Sequence, residues 1–284
     1  MKKFSRFLLA CVVILAALGT FFAVKNRDSL SKIEMPEIEI INKKDKVEST
    51  VVFSDIEGAK TTKVSMVSVA QVDDFYNINA EYPQIESAGK EFNEKIYLLI
   101  KSKIDEFKNE SRANWQARLA TMPEGEAKPE TPDQPFDFIA AWDLMRLGPR
   151  YAGFTIEIYY FAGGAHGISE IYAFNYDLGG EKEITIADFL GSDEELQKLA
   201  AMANEKAAEQ LKIAGLEQND ILDEMISSGT APEASNYRNF VFGGNVLKIY
   251  FEKYQVAPGS AGTIVLEFYK NELEQNEIFS DYFN

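Results

Sequence analysis

The sequence predicts an α+β fold: a mainly antiparallel sheet packed with two or three helices, preceded by a single N-terminal transmembrane helix. Three observations predict it. Short β-branched or aromatic runs bounded by Gly, Pro or Asn recur between residues 136 and 269, as strands do. Apolar residues recur at helical spacing near residues 86–110, 192–211 and 220–226. Residues 7–24 hold 18 positions without a charge.

As a helix that first run is about 27 Å long, near the hydrocarbon thickness of a bilayer. Lys2, Lys3 and Arg6 precede it and Lys25 follows at once. The run exceeds a cleavable apolar region, and Phe21 spoils the small-x-small spacing near Ala23. The expectation is a signal anchor at 7–24 with residues 1–6 as a cytoplasmic tail, single-pass in a bacterial cytoplasmic membrane with the bulk of the chain outside. Secretion after signal cleavage is the alternative. Cys11, the only cysteine, lies inside this run, so the exported part is expected to form without disulfides.

Residues 25–50 are rich in Lys, Glu, Asp, Asn and Ser and read as a flexible tether. Residues 51–120 form a first subdomain. In it, Val64, Val67 and Val69 with Met66 predict a strand over 63–72, buried on both faces or nearly so. Phe92, Ile96, Leu99, Ile100, Ile104 and Phe107 predict an amphipathic helix over 86–110. Residues 121–135 contain four prolines and four acidic residues and predict an exposed loop. A second subdomain, 136–284, is expected to hold strands at 136–144, 154–161, 168–176, 183–186, 246–251 and 263–269. Ser192 with Glu195 predicts the start of one helix there, and Asp220 ahead of Ile221 and Leu222 the start of another.

The formal charge is −16, and Lys2, Lys3, Arg6, Lys25 and Arg27 all precede the first carboxylate, so residues 28–284 carry −21. A surface of that sign repels phosphate backbones and argues against nucleic acid, while favouring a cationic partner.

The only histidine, His166, stands in Phe161-Ala162-Gly163-Gly164-Ala165-His166-Gly167. Glycines there allow a left-handed turn and a close approach by a ligand. With one histidine and one cysteine the chain offers no ordinary zinc ligand set, so neither a metal nor another cofactor is expected. An enzyme would have to use His166 with a carboxylate such as Glu157, Glu170 or Asp177 and Ser169 as nucleophile, and no spacing brings these together. Binding asks less. Tyr160 and Phe161 at the rim of the turn, and Tyr254 ahead of Pro258, are aromatics able to stack on a sugar or anchor a protein.

Several landmarks fall in one order: Tyr82-Pro83 before a helix containing Asn93, the Gly163-Gly164-Ala165-His166-Gly167 turn, Asn175-Tyr176-Asp177-Leu178 leading to Asp188, and Tyr254-Gln255-Val256-Ala257-Pro258 with Gly262. Over about residues 50–270 this resembles the paired module of unknown function that accompanies the catalytic domain of PdaC-type peptidoglycan deacetylases and forms the extracellular part of RsiV-type lysozyme-sensing anti-sigma factors. The resemblance implies a membrane-anchored envelope protein that binds a cell-wall glycan or a basic, lysozyme-like envelope protein. The expected ligand-binding residues are Tyr160, Gly163, Gly164, His166, Tyr254 and Pro258. A peptidoglycan-acting hydrolase or deacetylase-like enzyme using His166 with carboxylates is the other reading.

Overall fold

The structure, a computed structural model, describes residues 47–52 and 62–283, so the expected anchor 7–24 and the tether as far as residue 46 lie outside the described residues. Among the described residues no helix is long and apolar enough to cross a membrane.

Strand structure starts earlier than expected. β1 (Val47–Val52) takes in the last residues assigned to the tether and pairs antiparallel with β2 (Lys63–Val72). In β2 Val64 and Val67 are buried, one on each face by alternation, and the remaining residues are half-buried or exposed. Next comes β3 (Tyr76–Ile85), a strand the sequence reading did not separate from the helix that follows. Its period of two is plain in the structure: Tyr76, Ile78, Ala80 and Tyr82 are buried, with more exposed residues between them.

A single 3-10 turn then leads into α1 (Gly89–Ala120), a helix of 32 residues that runs ten residues past its expected end. The extension follows from spacing: Phe107, Ser111 and Trp115 are each four residues apart and all buried, so one face of the helix stays against the sheet. Asn93 fixes its start. The Asn93 side chain accepts from the Ile85 N–H at 2.8 Å and donates to the carbonyls of Ile85 at 2.8 Å and Gly89 at 2.9 Å, tying the end of β3 to the first turn of α1.

The chain returns as β4 (Phe136–Leu147), β5 (Tyr151–Phe161), β6 (Ile168–Asp177) and the two-residue β7 (Lys182–Glu183), giving a seven-stranded sheet in sequence order. Every pair is antiparallel except β3 with β4. Only there does a long helix intervene, and a crossover of that kind is what a parallel neighbour requires. The sheet face under α1 is aromatic: Phe92 meets the rings of Phe154, Phe174 and Tyr176 at 4.4–6.1 Å, and Phe107 meets Phe138 at 5.5 Å and Tyr160 at 6.1 Å. Burying a side chain such as Phe107 contributes roughly 2–3 kcal/mol.

The expected strand over 183–186 ends after Glu183, because Thr185 caps a helix instead. Thr185 and Asp188 form a reciprocal capping box at the head of α2 (Ile186–Leu190), and a side-chain cap outcompetes a fourth strand residue. Ser192 caps α3 (Asp193–Ile213), as expected. The cap of α4 (Asp220–Gly229) is Asn219, whose carboxamide oxygen accepts from the N–H groups of Ile221 and Leu222; Asp220 is already inside the helix. These helices cover a second sheet, β8 (Phe240–Gly243), β9 (Val246–Phe251) and β10 (Ile264–Tyr269), antiparallel in the order β10-β9-β8, with α5 (Lys270–Gln275) after it. β8 is a further strand not expected from the sequence, four residues long and buried throughout. The Pro-rich segment 121–135 links α1 to β4 within the first sheet, and the change of sheet comes after β7.

The two sheets meet through side chains. Asn175 on β6 donates to the Phe240 carbonyl at 2.7 Å and accepts from the Phe242 N–H at 3.2 Å. Asn239, just ahead of β8, does the converse: it donates to the Ile171 carbonyl at 2.6 Å and accepts from the Ala173 N–H at 2.7 Å. Each carboxamide thus stands where a neighbouring strand's peptide would. The approach is close enough that a Cβ at Gly153 would lie 3.1 Å from the Phe242 carbonyl oxygen, and one at Gly243 2.6 Å from that of Met145.

Candidate functional site

The glycine turn is one wall of a cleft of about 590 Å³. Three other segments complete it: the last turns of α1 with Asn114, Trp115 and Arg118, the end of the proline-rich loop with Pro132, Asp133 and Gln134, and Phe136 at the start of β4. Phe161, Gly163 and Gly164 supply the fourth side. Trp115 and Phe136 are buried and form its apolar floor; Phe161 is half-buried. The loop is exposed as expected over most of its length, but Pro132 is buried and holds it in place.

The turn is shaped by contact. Gly163 has φ +87 and Gly164 φ +132, both in the left-handed region that L-residues avoid. A Cβ at Gly163 would lie 2.9 Å from the ring of Phe136, so the backbone itself fills the space above that ring. The Asn114 carboxamide donates to the carbonyls of Ala162 at 3.0 Å and Gly163 at 3.2 Å, fastening the turn to α1. Arg118 completes the rim. Its guanidinium carbon lies 5.5 Å from the Trp115 ring centroid, and one of its nitrogens is 3.7 Å from the Asp133 carboxylate. Both members of that pair are largely exposed, so the contact contributes little to stability. The site therefore offers aromatic surface below and guanidinium and amide groups at its edge.

His166 stands exposed beyond this cleft, with Nδ1 3.2 Å from the carbonyl oxygen of Gly167. Among the described residues no hydrogen bond or ion pair joins it to Ser169, Glu157, Glu170 or Asp177. Each of those carboxylates has another setting. Glu157 is exposed on the sheet face away from α1. Glu170 accepts from the Tyr172 hydroxyl at 2.7 Å and pairs with Lys103 at 2.9 Å. Burial together with that carboxylate pushes the Tyr172 hydroxyl up to about 12. Asp177 is buried and accepts from the N–H groups of Gly179 and Gly180. Among the described residues no group of three or more His, Cys, Asp or Glu side chains could hold a metal ion.

The other expected residues divide. Gly163 and Gly164 lie on the cleft, whereas alternation along β5 turns Tyr160 to the α1 side, where its ring packs against Phe107 and Phe138. Tyr254 is 66% exposed and takes φ +71. Its ring lies so tightly on Gly259 that a Cβ there would be displaced by it, and the Lys253 ammonium sits 5.5 Å from its centroid. Pro258 caps the 3-10 turn that begins at Gly259. Among the described residues no hydrogen bond, ion pair or ring contact joins Tyr254 or Pro258 to the glycine turn. The sequence reading did not find Asn114, Trp115, Arg118 and Phe136. Trp115, one of two tryptophans, was the available signal, four residues beyond the buried Ser111 on the same helix face.

Comparison with known families assigns the two halves. The family described as deacetylase PdaC matches residues 69–169, and the protein of unknown function family DUF3298 matches residues 187–270. The chain is thus similar to the PdaC family over its first half and to the DUF3298 family over its second. The PdaC match covers the helix, the turn and most of the first sheet; the DUF3298 match covers the helices and strands of the second. The chain is 27% identical over 208 residues to the peptidoglycan-N-acetylmuramic acid deacetylase PdaC of Bacillus subtilis, a match covering 70% of this chain and 42% of that protein. It thus spans less than half of that relative's length. Two solved DUF3298-family proteins are similar over 81% of this chain and 91% of theirs: one from Bacteroides fragilis at 13% identity with a TM-score of 0.47, and one from Pseudomonas aeruginosa at 14% with 0.44.

Proposed function

We propose that the PdaC–DUF3298 pair is an envelope module, anchored through residues 7–24, that binds a cell-wall glycan in the cleft between α1, the proline-rich loop and the glycine turn. The observation that carries this reading is the composition of the cleft. Trp115, Phe136 and Phe161 give an apolar floor suited to the carbon face of a sugar, and Asn114, Arg118, Gln134 and the turn backbone give polar groups for hydroxyls and amides. Its volume lies within the range of small-ligand sites, about 300–1,000 Å³. The relation to a peptidoglycan deacetylase supports the choice of glycan.

Co-sedimentation of the full-length protein with purified peptidoglycan tests this. Phe161→Ala and Arg118→Ala are expected to weaken binding by about tenfold, the loss of roughly 1.4 kcal/mol, with His166→Ala and Tyr254→Ala near wild type. Wild-type retention by both cleft variants would remove the cleft from the reading. The charge of −21 over residues 28–284 favours a second reading, a basic lysozyme-like partner steered by opposite fields. Lysozyme in place of peptidoglycan in the same experiment decides it: binding that survives both cleft substitutions and falls steeply with salt marks a protein partner.

A further inference from the structure

A second cavity, about 380 Å³, adjoins the first. Phe75 connects them: it lines the second, and its ring lies 5.4 Å from Phe136 and 6.4 Å from Trp115 on the floor of the first. The proline-rich loop runs along both, with Thr131 on the second and Pro132 to Gln134 on the first. The two cavities are therefore neighbours, with Phe75 and the proline-rich loop between them.

The second cavity differs in its chemistry. Arg112 lines it, with Nε donating to the Tyr76 hydroxyl at 2.8 Å and the guanidinium carbon 6.0 Å from the Tyr76 ring. Lys108, one helical turn earlier, holds its ammonium 5.7 Å from the same ring and donates to the Gln71 carboxamide oxygen at 2.6 Å. Like charges four residues apart on a helix repel. In a domain so rich in carboxylates both would be expected to carry an acidic partner, yet among the described residues no carboxylate oxygen lies within ion-pair distance of either. The nearest candidate is already committed. Asp73 accepts from the N–H groups of Phe75 and Tyr76 and from the Gln71 carboxamide. Burial works against its charge, but those hydrogen bonds, helped by the charge of the nearby Lys108, outweigh it and hold the carboxyl below its ordinary range. Among the described residues the outer guanidinium nitrogens of Arg112 have no protein acceptor.

We propose that Lys108 and Arg112 form an anion subsite, next to the glycan cleft, for a carboxylate carried on the bound glycan. The preferred ligand is then an acidic saccharide. This rests on the glycan reading above and adds the ligand's charge to it. Two carboxylates line the same cavity and oppose such a ligand: Asp73, and the exposed Asp74, which among the described residues has no hydrogen bond or ion pair.

Calorimetric titration of the full-length protein with three probes tests the subsite: chitotetraose as a neutral glycan, a disaccharide-tetrapeptide muropeptide as a carboxylated one, and inorganic phosphate as an anion without a sugar. The wild type is expected to bind the muropeptide about tenfold more tightly than chitotetraose at low salt, a gap that narrows in high salt. Arg112→Gln and Lys108→Gln are expected to reduce muropeptide affinity by roughly three- to tenfold and leave chitotetraose unchanged, whereas Asp74→Asn strengthens muropeptide binding. A muropeptide affinity unaltered by either cation substitution overturns the proposal, as does phosphate that competes as well as the muropeptide at equal concentration. Failure of both sugars to bind the wild type defeats the glycan reading instead. The cation pair is then judged by the side-chain nitrogen resonance of Arg112 during the phosphate titration: a shift abolished by Lys108→Gln supports an anion site, and no shift overturns it.

Discussion

Single positions carry most of what makes the cleft. Gly163 combines a left-handed backbone with a ring 2.9 Å from where its Cβ would be, so substitution there meets two penalties. Gly215, φ +84 with open space around it, meets only the first. Gly163→Ala is expected to cost about 1–3 kcal/mol in urea unfolding and Gly215→Ala about 1–2 kcal/mol, and equal losses would mean that Phe136 yields freely. At this scale the sequence was partly legible. Paired glycines before a lone histidine announced a turn, because φ > 0 is written in residue type. That Phe161 and not Tyr160 lines the cleft was not legible, since Tyr160 is packed against Phe107 and Phe138 and the cleft lies at the very end of β5. Asn114 reaches the turn from 48 residues away, and nothing local marks it.

Elements were legible where their own periodicity or caps declare them. Ser192 and Glu195 located the start of α3, and the apolar stripe of α1 located its body. The last ten residues of α1 were missed because only Trp115 and Leu119 are large and apolar there, and the packing of Trp115 against Phe75 decides the matter. β3 and β8 were missed for a related reason: one is broken by Pro83 and polar residues, the other is four residues long. At α2 a cap overrode β-propensity, and its charge gives a measurable consequence. Hydrogen bonds from Lys182 and Thr185 lower Asp188 from 3.8 to about 2 against a smaller opposing effect of burial. A carboxylate depressed in the folded state stabilises above its unfolded value, and that stability is lost as pH falls from about 4 toward 2. Asp188→Ala should therefore destabilise at neutral pH, by about 0.5–2 kcal/mol as caps do, and the deficit should shrink toward pH 2. A deficit independent of pH, in thermal melts across that range, would locate the effect in packing.

Across the whole molecule the two family matches fall on two sheets, each with its own core: α1 over the first, and α2 to α4 over the second. Nothing in the sequence marks how they join, because a carboxamide serving as a strand surrogate has no periodicity. Asn175→Ala leaves the Phe240 carbonyl and the Phe242 N–H, both in a buried strand, without partners, and is expected to cost about 2–3 kcal/mol; the half-buried Asn239 is expected to cost about 1–2 kcal/mol. In the double variant the urea transition should broaden, with tryptophan fluorescence, which reports the first sheet through Trp115 and Trp142, separating from far-UV circular dichroism. A single sharp transition by both probes would show that the halves stay coupled without these two carboxamides.

Short of proline, a backbone ladder cannot be deleted by substitution, since every other residue type brings its own N–H and carbonyl. The Asn175–Asn239 joint can. Its strength is encoded in two codons, independently of the strands it connects, so the coupling between the halves is open to adjustment by selection or by design while each half keeps its own hydrogen-bonded sheet.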